Sequence, residues 1–274
     1  MQLTASGTNN TVQGMNIIQD NGTYKTKTVV TINPTANTTT VAIYTTPNMT
    51  STTWTQQTTG GYPMTITGTT NGVVYVNGNV GTPSVPPAGN IDGTPTTFGS
   101  GGLWGVVANN VMNSGGTAAT STNALSIVTN ENNSLNISGD VIYSADSMSS
   151  GATTAKTGTL GIVSSKVQIL ENLEGDSAGD GLANVTVDAT VLAYNTFDAE
   201  DPLNRAIAAF NLLGGYIVTN SGTFAGIDSS GTQWTGFTVN RNYDSRVANA
   251  PPPFFPSTGN LYKLRSYVRD NYTY

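Results

Sequence analysis

The chain has 274 residues, no Cys, no His, 9% charged residues and a net charge of −6. Without Cys there is no disulfide frame, thiolate zinc site or cysteine nucleophile, and without His there is no Ser-His-Asp triad or imidazole ligand. Ten Lys and Arg against 16 acids argue against DNA or RNA as a partner.

Thr, Asn, Gly and Ser make up roughly half of the chain, well above ordinary usage. So little charge often marks disorder, yet 12 Tyr, 7 Phe, 3 Trp and 37% hydrophobic residues provide for a packed core. No stretch approaches about 20 consecutive apolar residues, so no helical membrane span is expected. The first residues, MQLTASG, are neither basic nor apolar and do not read as a signal peptide. A Lys-poor, Cys-free, Thr/Asn-rich surface suits a bacterial protein outside the cell. The expectation is therefore an extracellular or cell-surface chain whose export or anchor segment lies outside this sequence. Sequons at Asn21, Asn48 and Asn184 arise by chance in such a composition and carry no weight.

In chain order, residues 1–70 read as short Thr-rich strands. Residues 23–32 alternate in part, 38–44 are β-branched, and Asn33-Pro34 and Pro47-Asn48 supply turns. From 71 a repeat appears. Tyr75-Val-Asn-Gly-Asn-Val80 looks like Asn136-Ile-Ser-Gly-Asp-Val141. A second unit, an apolar pair followed by small polar residues, begins at Val106, Ile127, Ile162, Val191 and Ile217. Its steps of roughly 21 to 35 residues fall in the range of solenoid coils. The fold class expected is all-β: a parallel β-helix over 71–240, preceded by the Thr-rich β region and closed by a proline-rich cap over 241–274. Inward Val, Ile, Leu and Ala would stack coil on coil. Asn and Thr would form hydrogen-bond ladders at the corners, and Gly78, Gly139 and Gly161 would take the left-handed bends. A β-sandwich with polar turns is the competing architecture. Loops over 81–102, 113–123 and 171–182 would project from the coils, as insertions or as binding surfaces.

Residues 202–213 carry helical periodicity, with Asp201 as a cap, Pro202 at the first helical position and Gly214-Gly215 as the stop. Leu203, Ile207 and Phe210 would share a face. The stretch 240–256 joins Arg241, Tyr243, Asp244 and Arg246 to Pro251, Pro252, Pro253, Phe254, Phe255 and Pro256. It reads as an extended strap that covers the open end of the coil stack. Tyr243, Phe254 and Phe255 would pack inward. Arg241 and Arg246 would pair with Asp244 or with carboxylates of the last coil.

This stretch resembles the PilX-like, pilus-associated surface proteins of bacteria. The matching residues are Tyr243-Asp-Ser-Arg-Val247 and Pro251-Pro-Pro-Phe-Phe-Pro256, with Ser245 where that family has proline. Further likenesses fall at 72–79, at 187–193 before the acidic turn Glu200-Asp201, at 212–218 and at 222–224. The resemblance covers about residues 70–260. It implies a parallel β-helix outside the cell, often behind a pilin-like hydrophobic helix, and of the general kind of a large competence-associated minor pilin. It also implies strands on both sides of Gly214-Gly215, over 210–218, which shortens any helix to 202–208.

Few residues offer chemistry, and no catalytic set is assigned. Glu171, Glu174, Asp176 and Asp180 crowd a Gly-bearing loop, an oxygen-rich set of the kind calcium takes. Their spacing is not that of an EF-hand, and a solvated acidic loop is the plainer reading. Calcium is the one cofactor with any support. Asp198, Glu200 and Asp201 form a second acidic turn, with Arg205 expected to pair with them structurally. Trp54, Trp104 and Trp234 are stacking candidates for sugars or unpaired bases, against simple packing under loops. No Lys or Arg occurs between Thr28 and Ala155, which further weakens DNA binding. The expected function is a non-enzymatic surface or type IV pilus-associated protein. Its variable loops would serve adhesion or ligand capture, with pilus or cell-surface components as partners. The alternative is a carbohydrate-active or glycan-binding β-helix of polysaccharide-lyase or phage-fibre type.

Overall fold

The computed structural model describes residues 1–7, 10–67, 72–82, 101–108, 124–144, 158–170, 184–248, 251–253 and 255. Within them the protein is all-β, with a short 3-10 turn at Ser245–Ala248 and no α-helix. Fifteen strands join in one mixed sheet.

The first six strands are β1 (Gln2–Ser6), β2 (Val12–Asp20), β3 (Lys25–Asn33), β4 (Thr38–Thr45), β5 (Thr55–Gln56) and β6 (Met64–Thr67). All their mutual pairings are antiparallel. β-Branched Thr, Val and Ile fit this extended backbone because their χ1 freedom is already restricted. The turns use local side-chain chemistry. Gly22 donates its N–H to Asp20 Oδ1 with φ +78°, and Asn37 takes φ +52° beneath Pro34. One face carries the row Met15, Val30, Val41 and Met64. Met15 is paired with Leu3, and both are buried. β1 also pairs in parallel with β8 (Leu103–Val107), so the antiparallel strands continue directly into the parallel ones.

The parallel strands are β7 (Val73–Val76), β8, β9 (Ala124–Thr129), β10 (Ser134–Tyr143), β11 (Thr159–Ile169), β12 (Val185–Ala199), β13 (Ala208–Ser221) and β15 (Gln233–Asn242). The short β14 (Ala225–Ile227) returns antiparallel to β15. Their registers fall into three ladders. One row of the first runs Gly105, Val141, Val187, Leu212 and Arg241. One row of the second runs Val74, Ile127, Ile162, Val191 and Tyr216. One row of the third runs Val80, Leu135, Val167, Phe197 and Ser221. Long strands serve more than one ladder: β12 contributes Val187 to the first, Val191 to the second and Phe197 to the third. The chain visits the ladders in rotation.

Apolar burial drives this stacking. Ile127, Ile162, Val191, Leu135, Val167, Val141 and Val187 are fully buried and belong to one core cluster. Each such side chain contributes about 1.5–3 kcal/mol relative to exposure. Toward the C-terminal rows the filling becomes aromatic. Phe197 meets Phe210, Tyr216 and Phe224 edge-on, and Phe210 stacks on Phe224 at 5.6 Å. Phe237 follows in the last row, and the Arg205 guanidinium lies 3.8 Å over its ring. Asparagine side chains bridge neighbouring strands, both beyond strand ends and within them. Asn130 Nδ2 donates to Asn77 Oδ1, Asn220 Nδ2 to Asn195 Oδ1, and Asn240 Nδ2 to Asn211 Oδ1.

Several expectations are corrected. Residues 202–207 form turns, not a helix, and Asp201 has φ +39°. Leu203 and Ile207 are exposed whereas Phe210 is buried, so they share no face. The alternation Ala208, Phe210, Leu212 pairs with β15 instead, and in-register burial outweighs a 3.6-residue period. The two strands expected around Gly214-Gly215 are one, β13. Gly214 takes φ +146°, and a Cβ there would lie 2.0 Å from the Ala189 carbonyl oxygen. Tyr75–Val80 and 136–141 are not equivalent, because Val80 bridges Leu135 and Tyr75 opposes Val128. Of the five apolar pairs, Ile127, Ile162 and Val191 share a row. Ile217 is one residue out of step, and Val106 lies in the first ladder. Gly78, Gly139 and Gly161 do not take positive φ.

Candidate ligand-binding face

The second ladder turns alternate residues outward. One outward row runs Tyr75, Val128, Val163, Leu192 and Ile217, of which Val163 is buried and Val128 and Leu192 are half-buried. Tyr75 and Ile217 are 61% and 55% exposed, on a surface otherwise rich in Thr and Asn. Two residues beyond Leu192, Tyr194 is 56% exposed. It stands where the register between β11 and β12 shifts, and Thr219 Oγ1 donates to its carbonyl oxygen. Tyr75, Val128, Thr129, Asn130, Glu131 and Tyr194 line a cleft of about 460 Å³. Thr129 is committed inward, its hydroxyl 2.8 Å from that of Ser164. Asn130 and Glu131 supply the exposed polar edge.

The neighbouring outward row is small: Val73, Ser126, Gly161, Thr190 and Gly215. The C-terminal strap lies over it. Ser126 Oγ donates to the Pro253 carbonyl oxygen. A Cβ on Gly161 would meet Phe255 Cδ2 and Pro252 Cβ at 2.8 Å, and one on Gly72 would meet Pro253 Cγ at 3.0 Å. Gly161 is therefore a close-approach glycine rather than a bend. Pro252 and Phe255 are buried, as expected of a strap. Its position differs from the expected end cap: it runs across the side of β9 and β11. Among the described residues, Phe197, Phe210, Phe224 and Phe237 fill the C-terminal end of the core. Tyr243 is 69% exposed and does not pack inward. Phe254 and Pro256 lie outside the described residues.

Ahead of the strap lies a charge pair in which Asp244 is buried and Arg246 half-buried. Arg246 donates from Nε and Nη2 to the two oxygens of Asp244, at 2.8 and 2.6 Å. Burial works against the Arg246 charge, but the Asp244 carboxylate more than compensates and raises its pKa. The guanidinium lies 4.7 Å from the Tyr143 ring centre. Burial pushes the Tyr143 hydroxyl far above its ordinary value, and that hydroxyl accepts the Leu160 N–H. Asp188, also buried, accepts the Tyr143 N–H through Oδ2 at 2.9 Å. Arg241 does not follow this pattern; it lies over the Tyr216 ring at 4.9 Å.

The remaining candidates are scattered. Trp54 is half-buried on the antiparallel sheet, with Lys27 Nζ 4.8 Å from its ring centre. Trp104 sits on β8 opposite Gln2, half-buried. Trp234 is 58% exposed on β15. The three share no site. Asp198 Oδ2 is 3.3 Å from Lys166 Nζ, so β11 supplies a cation to the acidic turn. Glu171, Glu174, Asp176 and Asp180 lie outside the described residues, as do most residues of the three expected loops. Among the described residues no group of three acids is placed to hold a metal ion, and no helix is long and apolar enough to cross a membrane. Sequence reasoning missed Tyr75 and Tyr194. Their signal was an aromatic residue at the outward phase of a strand whose alternate positions are aliphatic.

No family model, no curated protein and no solved structure matches the chain. The likeness to PilX-like proteins rests on the quoted motifs alone.

Proposed function

We propose that this chain is a parallel β-helix of the bacterial cell exterior that captures a ligand on an outward sheet face without chemically changing it. The observation that carries this reading is the cleft lined by Tyr75 and Tyr194, each more than half exposed, on the outward side of the second ladder. Exposed apolar groups in contiguous patches mark interaction surfaces more often than scattered ones do. The β-helix itself is supported by the rotation of the chain through three parallel ladders and by the asparagine bridges between successive strands. A surface or pilus-associated location is supported by the composition and by the resemblance of 240–256. Capture without catalysis is supported by the charges. Asp188 accepts the Tyr143 N–H, Asp244 is paired with Arg246, and Asp198 is held by Lys166. A lyase or hydrolase needs its acids and base in an open groove.

The test is a pull-down of bacterial and host surface material by the purified chain, with the mass of the retained material measured over time. Retention of material of unchanged mass is expected. Shortening of the bound material would establish the carbohydrate-active alternative. Absence of any retained material would overturn the capture reading.

A further inference from the structure

We infer that the cleft between Tyr75 and Tyr194 binds a neutral oligosaccharide, an inference that rests on the capture reading and names its ligand class. One exposed tyrosine needs no explanation. Two, each more than half exposed, line one cleft with Val128 between their strands. Each forgoes the gain of packing its ring on a protein that buries Phe197, Phe210 and Phe237 completely. Flat aromatic faces beside an aliphatic floor suit a ligand with apolar faces of its own. The Asn130 amide and the Glu131 carboxylate suit a ligand whose edges carry hydroxyl groups. Sugars combine the two. Among the described residues the lining holds a carboxylate and no Lys or Arg, so a polyanion meets repulsion there. The net charge of −6 adds to it.

The geometry also sets a length. From the Tyr75 row, Val128, Val163 and Leu192 follow on successive strands before Tyr194 is reached. Three strand spacings are roughly 14 Å. That span fits several linked rings lying along the ladder better than one ring. The frame is rigid before binding. Tyr75 and Val128 are ladder residues, and Asn130 is bridged to Asn77 across the corner. Little ordering is needed on binding.

The experiment is titration calorimetry on the whole chain at about 0.15 M salt, where long-range charge effects are screened. The neutral probes are maltohexaose, cellohexaose, xylohexaose and chitohexaose; the anionic ones are hexagalacturonate and single-stranded oligothymidylate. Binding of at least one neutral hexaose is expected, with Tyr75→Ala and Tyr194→Ala each weakening it about tenfold, the loss of one stacked ring. Tyr194→Phe should bind as the wild type does, because the ring face is kept. Trp234→Ala, far along the chain and outside the cleft, should leave affinity unchanged. Both tyrosines are exposed, so unchanged melting of the variants is expected and is checked first. Binding of no neutral hexaose, or of anionic probes only, overturns the inference. So does hexaose binding indifferent to both tyrosines. Surface material retained in the pull-down by a chain that binds no hexaose leaves the capture reading standing. A hexaose bound through the tyrosines but shortened leaves the cleft standing and overturns capture without catalysis.

Discussion

Asp198 and Asp244 are two carboxyls that each face a cation, Lys166 and Arg246. Burial raises the pKa of Asp198 above its ordinary 3.8, and the Lys166 ammonium only partly opposes it. The folded state therefore holds the proton more tightly than the unfolded one. The stability this contributes is present below about pH 3.8 and is lost as pH rises through the raised value. Asp198→Asn removes the titration. Urea midpoints should show wild type losing stability relative to the variant as pH rises above about 3.8. Equal pH dependence in the two would refute the assignment. Asp244, nearly fully buried, is matched by the two-pronged contact from Arg246. Arg246→Ala leaves that carboxylate with a backbone N–H from residue 246 and should cost about 1–3 kcal/mol in equilibrium unfolding. Arg246→Lys should recover only part of this, since an ammonium lacks the paired fork. Gly161→Val drives methyl groups into Pro252 and Phe255. Hydrogen exchange of residue 255 should quicken in that variant while β13 stays protected.

At the scale of the strand, each element is held by what it meets in register rather than by its own propensity. Ile162 lies between Ile127 and Val191, fully buried. Ile162→Ala should lower unfolding free energy by about 2–5 kcal/mol, as core truncations do, whereas Ile217→Ala, at an exposed end of the outward row, should change it little. Denaturant titration of the two variants separates them. The same dependence on register explains what was legible in the sequence. The apolar pairs at Ile127, Ile162 and Val191 could be read because side-chain alternation and coil length agree there. The expected helix at 202–208 could not be corrected from the sequence. The partners that hold the following residues extended, Phe237 to Val239, lie about thirty positions onward. The end filling of Phe197, Phe210, Phe224 and Phe237 was hidden for the same reason, its members being spread over 41 positions. The proline strap could be recognised as a strap. Its resting place could not, because that depends on the small residues Ser126 and Gly161, which look like turn residues.

On the scale of the whole molecule, the central claim is that the parallel strands stack in three registers, and that this frame carries the cleft between Tyr75 and Tyr194. Absence of Cys, which first excluded thiol chemistry, makes the claim directly measurable. Paired cysteines can be introduced one pair at a time at outward positions of each ladder: Asn211 with Asn240, Leu192 with Ile217, and Thr196 with Asn220. In-register neighbours on adjacent strands lie about 4.8 Å apart, within the reach of a disulfide. Mild oxidation followed by peptide mass spectrometry should show an intramolecular disulfide in all three variants, with the control pair Leu192 and Thr219 forming far less. Crosslinking in the control but not in the three pairs, or in one ladder alone, would contradict the three-ladder fold and with it the platform on which the cleft depends.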